Sequence, residues 1–396
     1  MELLGKTVLL GLTGGIACYK AAEFARAMIR EGATIHVAMT ESAQQFITPL
    51  TLQALTGNAV FTSSWDSRMA NNMPHIDLPR KVDVIAVAPC TANFIAKLAH
   101  GICDDLLSTL CQARPAQVPL LVAPAMNVEM WEKPATQRNI QQLIEDGVGI
   151  MGPASGFQAC GDVGKGRMLE PVELVEEVIA ALQPKTMAGK RFLITAGPTF
   201  EPIDPVRGIT NRSSGKMGYA IARAAWRAGA EVTLVSGPTA LVAPYGVKRI
   251  DVMSAREMLD AVIASLPGQD VFISVAAVAD WRVKQVSDQK IKKVAGRSTP
   301  TLEFVENPDI LATVAKRPDA PYCVGFAAES ENLKAYAEAK RKKKGVPLLV
   351  GNIGHETFGK DDNTLILFDA NGAVELPHDT KQNLAYKLID QLAARL

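Results

Sequence analysis

Short, continuous runs of Val, Ile and Leu alternate twice with stretches of helical periodicity along this chain of 396 residues. Apolar runs bounded by Gly and Pro are typical of strands buried on both faces of a sheet. The helical stretches between them predict right-handed βαβ crossovers and a parallel sheet. The sequence therefore predicts an α/β fold with two tandem, doubly wound, Rossmann-like domains. The apolar runs are 7–11, 33–39, 82–89 and 119–126 in the first half, and 191–197, 231–237, 270–277, 322–328 and 346–351 in the second.

The boundary between the two halves is predicted at 183–190, a polar stretch that follows a helical run and contains a Pro and a Gly. We interpret this stretch as a linker, which gives domains 1–190 and 191–396. Near the end of the chain, alternating apolar and polar residues flank Asn371-Gly372, which predicts a hairpin. A last helix is predicted at 381–394. Helical phase is present at 91–99, 104–113, 134–146, 171–182, 215–229, 254–265, 308–316 and 331–343.

Composition excludes several classes of protein. The chain is 48% hydrophobic and 21% charged, which is ordinary globular usage and excludes a disordered, collagen-like or coiled-coil chain. The formal net charge of +1 suggests neither nucleic acid nor an acidic membrane as a partner, and no apolar run is long enough to span a bilayer. The six cysteines are scattered, without zinc spacing. We expect a cytoplasmic protein with reduced thiols and name no metal ligands.

Small and polar residues follow the predicted strands of the first half, at the edge where open parallel sheets bind ligands. Gly14 and Gly15 would let the backbone approach an anion at a helix start, although their spacing does not match the dinucleotide fingerprint. A tight turn without a ligand explains the two glycines equally well. Capping of a nearby helix is enough to explain the hydroxyl of Thr40 or Thr91 without a ligand. Ala92, Asn93, Met126 and Asn127 occupy the same edge.

Two further residues stand in loops of the first half. His75 precedes a strand within a predicted loop, where a histidine is more often structural or solvated. Cys160 lies in the segment 152–168, which is too rich in Gly for a core element and predicts a mobile flap. A free cysteine is usually a small buried hydrophobe, but one in such a flap is a candidate for chemistry.

The second half offers donors and cations at the same edge. The run Ser213-Ser214-Gly215 at a helix start suits a phosphate, and Asn211 beside it can hydrogen-bond a carbonyl and a phosphate, although a capped helix explains both. The small residues of 274–282 would admit a flat base beside Asp280, or simply pack a strand end. The basic runs 290–293 and 339–345 suit a polyphosphate, or are solvated faces.

The first-half motifs TGGIACYK, PHI at His75, APCTAN, PAMNVEMW and ACGDVGKGRM together resemble the flavin-dependent phosphopantothenoylcysteine decarboxylases of the coenzyme A pathway. The resemblance implies a flavodoxin-like domain, bound FMN and no net redox change. In that family the flavin oxidises the thiol-bearing carbon of the substrate, CO2 leaves as an enethiolate forms, reduced flavin returns hydride and an acid supplies a proton. It implies that His75 is the base, Asn127 binds the substrate carboxylate, Cys160 donates the proton and Met126 shapes the pocket. FMN would face Gly14, Gly15, Thr40, Thr91, Ala92 and Asn93.

The second-half motifs ITAGPTFEPIDPVRGITNRSSGKMG, AAVADWR, KIKK, NPDI and GFAAE resemble phosphopantothenate–cysteine ligase. The resemblance implies that the carboxylate of 4'-phosphopantothenate attacks the α-phosphate of CTP, with Mg2+ on the nucleotide. The amine of L-cysteine then attacks the acyl-cytidylate, which Asn211 stabilises. The resemblance implies that substrates and nucleotide contact Ser274, Val275, Ala276, Asp280, Lys290, Pro308, Asp309, Ile310, Leu311, Phe326, Lys340 and Lys344.

The fused order resembles the bacterial bifunctional proteins of coenzyme A biosynthesis, in which the ligase product, 4'-phosphopantothenoylcysteine, is the decarboxylase substrate. The resemblance also implies a homo-oligomer, a dodecamer with trimers through the first domain and dimers through the second. Two alternatives remain open from the residues. One is a flavin or nicotinamide oxidoreductase on tandem nucleotide-binding domains, and the other is a flavin-binding regulatory protein with inactive sites.

Overall fold

The computed structural model describes residues 1–65, 73–292, 299–329, 333–353 and 359–396. The chain divides into two compact units, Met1–Pro184 and Lys185–Leu396. Lys185 and Met187 already belong to the packing of the second unit. The Lys185 ammonium donates to the Arg227 carbonyl at 2.9 Å, and Met187, only 1% exposed, donates its backbone N–H to the Ala228 carbonyl at 2.9 Å. Most of the polar stretch 183–190 is therefore part of the second unit.

The first unit is built on a six-stranded parallel sheet whose order is β3-β2-β1-β4-β5-β6. This is the Rossmann order 3-2-1-4-5-6, and without the two-residue edge strand β3 it becomes 2-1-3-4-5, the flavodoxin order. The predicted fold class is confirmed. The strands are β1 Thr7–Leu12, β2 Thr34–Met39, β3 Val60–Phe61, β4 Val84–Cys90, β5 Leu120–Pro124 and β6 Gly149–Ile150.

Helices surround this sheet, and their apolar residues form its core with the strands. The central strands are buried along nearly their whole length, because β1, β4 and β5 carry almost only apolar side chains. The helices are α1 Cys18–Arg30, α2 Pro49–Thr56, α3 Pro74–Arg80, α4 Ala92–Ala99, α5 Leu106–Gln112, α6 Val128–Glu132, α7 Pro134–Glu145 and α8 Pro171–Ala181, with a short 3-10 helix at Ser42–Gln45.

One local prediction for the first unit was wrong, and one segment is more regular than its sequence suggests. His75 does not lie in a loop: it is the second residue of α3, whose first residue is a proline with the backbone angle that a helix start requires. The Gly-rich segment at 152–168 contains regular structure that was not predicted, because β7 Ala154–Phe157 and β8 Val163–Arg167 pair as an antiparallel hairpin with Cys160 in its turn region. Its role as a mobile flap stays a prediction.

The second unit contains an eight-stranded sheet in the order β13-β12-β9-β14-β17-β18-β19-β20. Its first six strands are parallel and repeat the 3-2-1-4-5-6 order, and an antiparallel hairpin extends them at one edge. The predicted hairpin is confirmed, but its two turn residues are Ala370 and Asn371, because Gly372 already pairs with Asp369. The strands are β9 Arg191–Ala196, β12 Glu231–Ser236, β13 Lys248–Asp251, β14 Val271–Ser274, β17 Tyr322–Glu329, β18 Leu348–Ile353, β19 Asp362–Asp369 and β20 Gly372–Thr380.

Two short antiparallel ladders and five helices complete the described part of this unit. The strand predicted over 270–277 ends at Ser274, so the residues after it form a turn at the carboxyl edge. The helix predicted from 331 is described from Leu333, and 331–332 lie outside the described residues. The ladders pair β10 Phe200–Pro202 with β11 Gly208–Thr210 and β15 Trp281–Val283 with β16 Phe304–Glu306. The helices are α9 Lys216–Arg227, α10 Ala255–Ser265, α11 Ile310–Ala315, α12 Leu333–Lys344 and α13 Lys381–Ala393.

Helices α9 and α13 share the largest core cluster of the second unit. Ile221 and Ala225 of α9 are fully buried in it together with Leu384 and Leu388 of α13. The same cluster includes Ile194 at the centre of the sheet. This packing fixes the position of α9, and therefore of the polar loop at 211–215 that precedes it.

Candidate functional sites

The turns after β1 and β4 are tied together by one hydroxyl. Thr13 Oγ1 donates to the Pro89 carbonyl at 2.8 Å and accepts from the Thr91 backbone N–H at 2.9 Å. Because Thr13 is buried, these bonds hold two ligand-facing turns in a fixed relation. Sequence analysis missed this residue, although its place between a buried strand and a Gly pair is a usable signal.

Gly14 and Gly15 shape the space beside these turns. A Cβ on Gly14 would lie 2.6 Å from Ser42 Cβ, so only glycine lets the loops after β1 and β2 come this close. Gly15 has φ +148°, and a Cβ there would meet nothing within 4 Å. The backbone at Gly15 therefore faces open space just before α1, a helix of 13 residues whose N-terminal end favours an anion.

The threonines at this edge are engaged in local caps. Thr40 Oγ1 accepts from the Ala43 backbone N–H at 3.3 Å, and Thr91 Oγ1 accepts from the Phe94 backbone N–H at 3.3 Å. Both bonds are helix-capping interactions, the alternative to ligand binding that the sequence offers for these two residues. Ala92 is half-buried and Asn93 is exposed at the first turn of α4. A contact of this group with a flavin stays a prediction.

Asn127 and Cys160 come together although 33 residues separate them. Asn127 Nδ2 donates to Cys160 Sγ at 3.1 Å, and its Oδ1 accepts from the Glu129 backbone N–H at 2.8 Å, which caps α6. The hairpin is held in place next to this loop because Met126 donates its backbone N–H to the Gly166 carbonyl at 2.9 Å. A Cβ on Gly166 would lie 2.3 Å from the Met126 carbonyl oxygen, so this approach requires glycine.

Two residues that sequence analysis missed complete this cluster. Gln158 is 7% exposed, and its Oε1 accepts from Asn127 Nδ2 at 3.3 Å and from the Val128 backbone N–H at 2.9 Å. Asp162 Oδ2 accepts from Asn127 Nδ2 at 2.7 Å and from Cys160 Sγ at 3.3 Å. The Asn127 amide and then the Cys160 thiol lower the pKa of Asp162, which keeps it ionised. Their i±2 spacing around Cys160 is the signal that would have found them.

His75 is half-buried in the first turn of α3. Among the described residues, no hydrogen bond joins it to Asn127 or Cys160. Its role as a base stays a prediction.

The second unit holds a cavity of about 730 Å³ at the carboxyl edge of its sheet. The cavity gathers residues from α9, from the turns after β14 and β16, from β17 and from α12. All but one of the residues predicted for the second half line it. They are Asn211, Ser274, Val275, Ala276, Asp280, Pro308, Asp309, Ile310, Leu311, Phe326, Lys340 and Lys344.

The loop before α9 is organised by the side chain of Asn211. Its Oδ1 accepts from the Ser213 backbone N–H at 2.9 Å, and Ser213 Oγ accepts from the Gly215 backbone N–H at 3.3 Å. Gly215 has φ +78° and lies against Gly197, where a Cβ would be 3.3 Å from the backbone. Because the amide oxygen is engaged in this turn, the two N–H donors of Asn211 point away from it.

The turn after β14 is also fixed by hydroxyls. Thr195 Oγ1 accepts from the backbone N–H groups of Val275 and Ala276 at 3.2 and 3.3 Å. The Asp280 carbonyl accepts from the Asn307 backbone N–H at 2.8 Å, which joins this turn to the loop before α11. The result is a preformed wall of small residues with a carboxylate at its end.

Cations line the other side of the cavity. Lys344 Nζ donates at 3.2 Å to Asp309, whose carboxylate also caps α11 through the Ala312 backbone N–H at 2.9 Å. Lys216 and Lys381, which sequence analysis missed, also line the cavity. Lys381 is 8% exposed, and burial together with the nearby Lys216 lowers its pKa.

Lys290 is the one predicted residue that the cavity lining does not include. Its side chain is exposed, but the next residue is anchored: the Ile291 backbone N–H donates at 3.1 Å to Asp204 Oδ2, and Arg207 Nη2 donates at 2.9 Å to the Ile291 carbonyl. The Arg207 guanidinium holds the pKa of Asp204 well below its usual range. This pair fixes the start of the basic run, whose last residue, Lys293, lies outside the described residues.

Two absences hold for the part of the chain that the structure describes. It contains no group of three or more His, Cys, Asp or Glu side chains placed to hold a metal ion. It also contains no helix with the length and apolar character needed to cross a bilayer.

Two family models cover nearly the whole chain. The model described as Flavoprotein matches residues 1–183, and the model described as DNA/pantothenate metabolism flavoprotein C-terminal domain matches residues 187–396. The second match alone spans more than half of the chain.

Full-length relatives carry one name. Proteins named coenzyme A biosynthesis bifunctional protein CoaBC from Vibrio parahaemolyticus and Escherichia coli are each 48% identical to this chain. The first alignment covers 98% of both chains, and the second covers 100% of this chain and 98% of the relative. A solved C-terminal domain of a protein of that name is 42% identical, with a TM-score of 0.46, and covers 53% of this chain and 97% of its own. The chain belongs to the family of bifunctional coenzyme A biosynthesis proteins.

Proposed function

We propose that the chain catalyses two consecutive reactions of coenzyme A biosynthesis, one in each unit. The second unit ligates L-cysteine to 4'-phosphopantothenate at the expense of CTP. The first unit then decarboxylates the product, 4'-phosphopantothenoylcysteine, to 4'-phosphopantetheine with FMN as cofactor. The observation that carries the proposal for the first unit is the 3.1 Å contact between Asn127 Nδ2 and Cys160 Sγ, a carboxylate-binding amide beside a proton-bearing thiol.

The residues present fit FMN. The backbone at Gly15, just before α1, faces open space. The close contact at Gly14 places the loops after β1 and β2 next to that space. A helix N-terminus suits the phosphate of FMN, and small residues such as Ala92 leave room for a flat ring. When bound, FMN supplies reversible two-electron chemistry at the thiol-bearing carbon of the substrate.

The residues of the first unit then divide the remaining work. Asn127 orients the substrate by donating to its carboxylate. We assign removal of the substrate proton to His75, which starts half-buried in the first turn of α3. Cys160 gives its proton to the enethiolate after CO2 has left. Its exposed position near the tip of the hairpin allows it to be reprotonated from solvent between turnovers.

The second unit supports acid activation by a nucleotide. The turn 275–280 receives the base of CTP between small residues and the Asp280 carboxylate. Lys340 and Lys344 face the triphosphate, and we assign Lys290 to the same group although it lies outside the cavity lining. Mg2+ would arrive with the triphosphate, as it usually does when it is held mainly by phosphate oxygens.

Asn211 stabilises the acyl-cytidylate with the two N–H donors that its turn directs away from Ser213. Preorganised donors of this kind act on charge that grows as the acyl phosphate forms and as the cysteine amine attacks it.

Assembly and location belong to the same proposal. We propose a homo-oligomer, a dodecamer with trimers through the first unit and dimers through the second, which native mass spectrometry measures directly. We also propose a cytoplasmic location. All six cysteines are free thiols, which suits a reducing compartment.

The test is a single incubation of the purified protein with 4'-phosphopantothenate, L-cysteine, CTP and Mg2+. We expect a yellow protein that forms 4'-phosphopantetheine, CMP and CO2 and consumes no NAD(P)H. Use of NAD(P)H would favour the oxidoreductase alternative instead. A Gly14→Val variant, whose side chain would collide with Ser42, should lose the yellow colour and decarboxylation but keep ligation. A yellow, active Gly14→Val enzyme would remove this turn from the flavin site.

A further inference from the structure

The amide of Asn127 is fully engaged in this structure, before any substrate is considered. Its Oδ1 accepts from the Glu129 backbone N–H, which sets the orientation of the amide and turns Nδ2 toward the hairpin. Nδ2 carries two hydrogens but lies within 3.3 Å of three acceptors on the hairpin, namely Gln158 Oε1, Cys160 Sγ and Asp162 Oδ2. One more acceptor cannot be added without removing one of these.

Of the three acceptors, Asp162 is the one that a ligand can displace. Gln158 is buried and holds four groups at once, because its Nε2 also donates to the Met126 and Lys165 carbonyls. Asp162 is exposed near the hairpin tip. Among the described residues, its carboxylate accepts from the Asn127 amide and the Cys160 thiol, while its backbone carbonyl accepts from the Gln158 N–H at 2.8 Å. A bond lost by an exposed carboxylate is replaced by water at little cost.

Asp162 also matches the chemistry of the ligand. Its oxygen lies 2.7 Å from Asn127 Nδ2, the shortest of the three contacts, as expected for an ionised acceptor. The proposed substrate brings a carboxylate to the same amide. Two carboxylates on one N–H donor repel each other, so the substrate and Asp162 exclude each other there.

We propose that Asp162 occupies the amide donor of Asn127 to which the substrate carboxylate binds, so that a ligand with a carboxylate must displace it. A ligand without one, such as 4'-phosphopantetheine, leaves the contact in place. Asp162 thus sets the preference of the site between substrate and product. Gln158 is the positioning residue that keeps the amide oriented during the exchange. The inference rests on the proposed decarboxylase function.

The test uses the full-length, FMN-loaded enzyme and its Asp162→Asn and Asp162→Ala variants. It measures KM for 4'-phosphopantothenoylcysteine and the competitive inhibition constant of 4'-phosphopantetheine. Removing the competing charge should lower KM by about two- to tenfold, the range of one hydrogen bond, and leave the inhibition constant unchanged. The matched control is Asp146→Asn, because Asp146 is likewise exposed and accepts from an amide, Gln142 Nε2, at 2.9 Å. It should change neither constant.

Two results would overturn the inference. A higher KM in both Asp162 variants would mean that Asp162 helps to bind the substrate. Equal changes in KM and in the inhibition constant would mean that it only maintains the shape of the hairpin. Activity of the wild-type enzyme shows which proposal has failed. If wild type releases no CO2, both the decarboxylase function and the role of Asp162 are refuted. If wild type is active and either result above is obtained, only the role of Asp162 is refuted.

Discussion

Replacing Asn211 with Asp tests the ligase site with little disturbance of the fold. The side-chain oxygen of Asn211 accepts from the Ser213 backbone N–H at 2.9 Å, and a carboxylate oxygen accepts at least as well. The loop before α9 should therefore keep its shape, and the melting temperature should change little. The substitution removes the two N–H donors and places a negative charge in a cavity proposed to hold a triphosphate.

The expected magnitude follows from this separation of roles. Losing one preorganised donor to a developing charge typically costs ~10²–10³ in rate. The added charge acts in the same direction, so ligation by Asn211→Asp should fall by at least about 10²-fold. CTP binding should be weakened less, because the fixed turn at Val275 and Ala276 and the lysines of α12 remain.

Both half-reactions are measured on one purified sample of Asn211→Asp, with CMP and CO2 as the products followed. Decarboxylation of supplied 4'-phosphopantothenoylcysteine should be unchanged. Asn371→Asp is the matched control, since Asn371 is an exposed turn residue of the same unit, and it should retain both activities. Normal ligation by Asn211→Asp, or an equal loss of the two activities, would refute the reasoning.

Three further predictions concern separability, the proton donor and acid stability. A fragment 191–396 lacks Met187, whose burial stabilises the second unit by roughly 1.5–3 kcal/mol. In calorimetry this fragment should therefore melt at a lower temperature than a fragment 185–396. Equal melting temperatures would contradict a unit boundary at 184/185. Cys160→Ser should still release CO2 in a single turnover but stop with an oxidised product detectable by mass spectrometry, and no CO2 would contradict its late role. The Lys387 ammonium lowers the pKa of Asp379 to about 2, so the ionised carboxylate stabilises the fold above the pH where an unfolded Asp titrates, and this is lost as pH falls toward 2. Asp379→Asn should therefore melt earlier than wild type at pH 6 but not at pH 2, and an equal deficit at both would contradict the assignment.

The main strands could be predicted because burial on both faces demands continuous apolar runs. The edge strands Val60–Phe61 and Gly149–Ile150 have only two residues each, too few for any periodicity to register. The hairpin around Cys160 was missed because its strands are short and rich in Gly. Packing against the loop at Met126 stabilises it, rather than an alternating apolar pattern.

Site residues could be predicted where the local sequence marks them, but not where only the folded chain brings them together. Asn211 was found because it lies in the polar loop before the start of α9, and Asp280 because it follows an apolar run that ends at the edge where parallel strands place polar residues. Lys381 could not be found in this way, because it lies 165 residues after Lys216 and only the packing of α13 against α9 brings the two to one cavity. The contact between Asn127 and Cys160 likewise exists only after the hairpin has folded back.

The joint core of α9 and α13 has a consequence for synthesis on the ribosome. Residues 1–184 form a compact unit, so all of its own core residues have been synthesised while the second unit is still being translated, and domains generally fold as units in that order. The second unit must wait, because the apolar face of α9 is covered by Leu384 and Leu388, made more than 150 residues later. During that interval an apolar helix surface is exposed on the nascent chain, and we expect this surface to need protection by a chaperone.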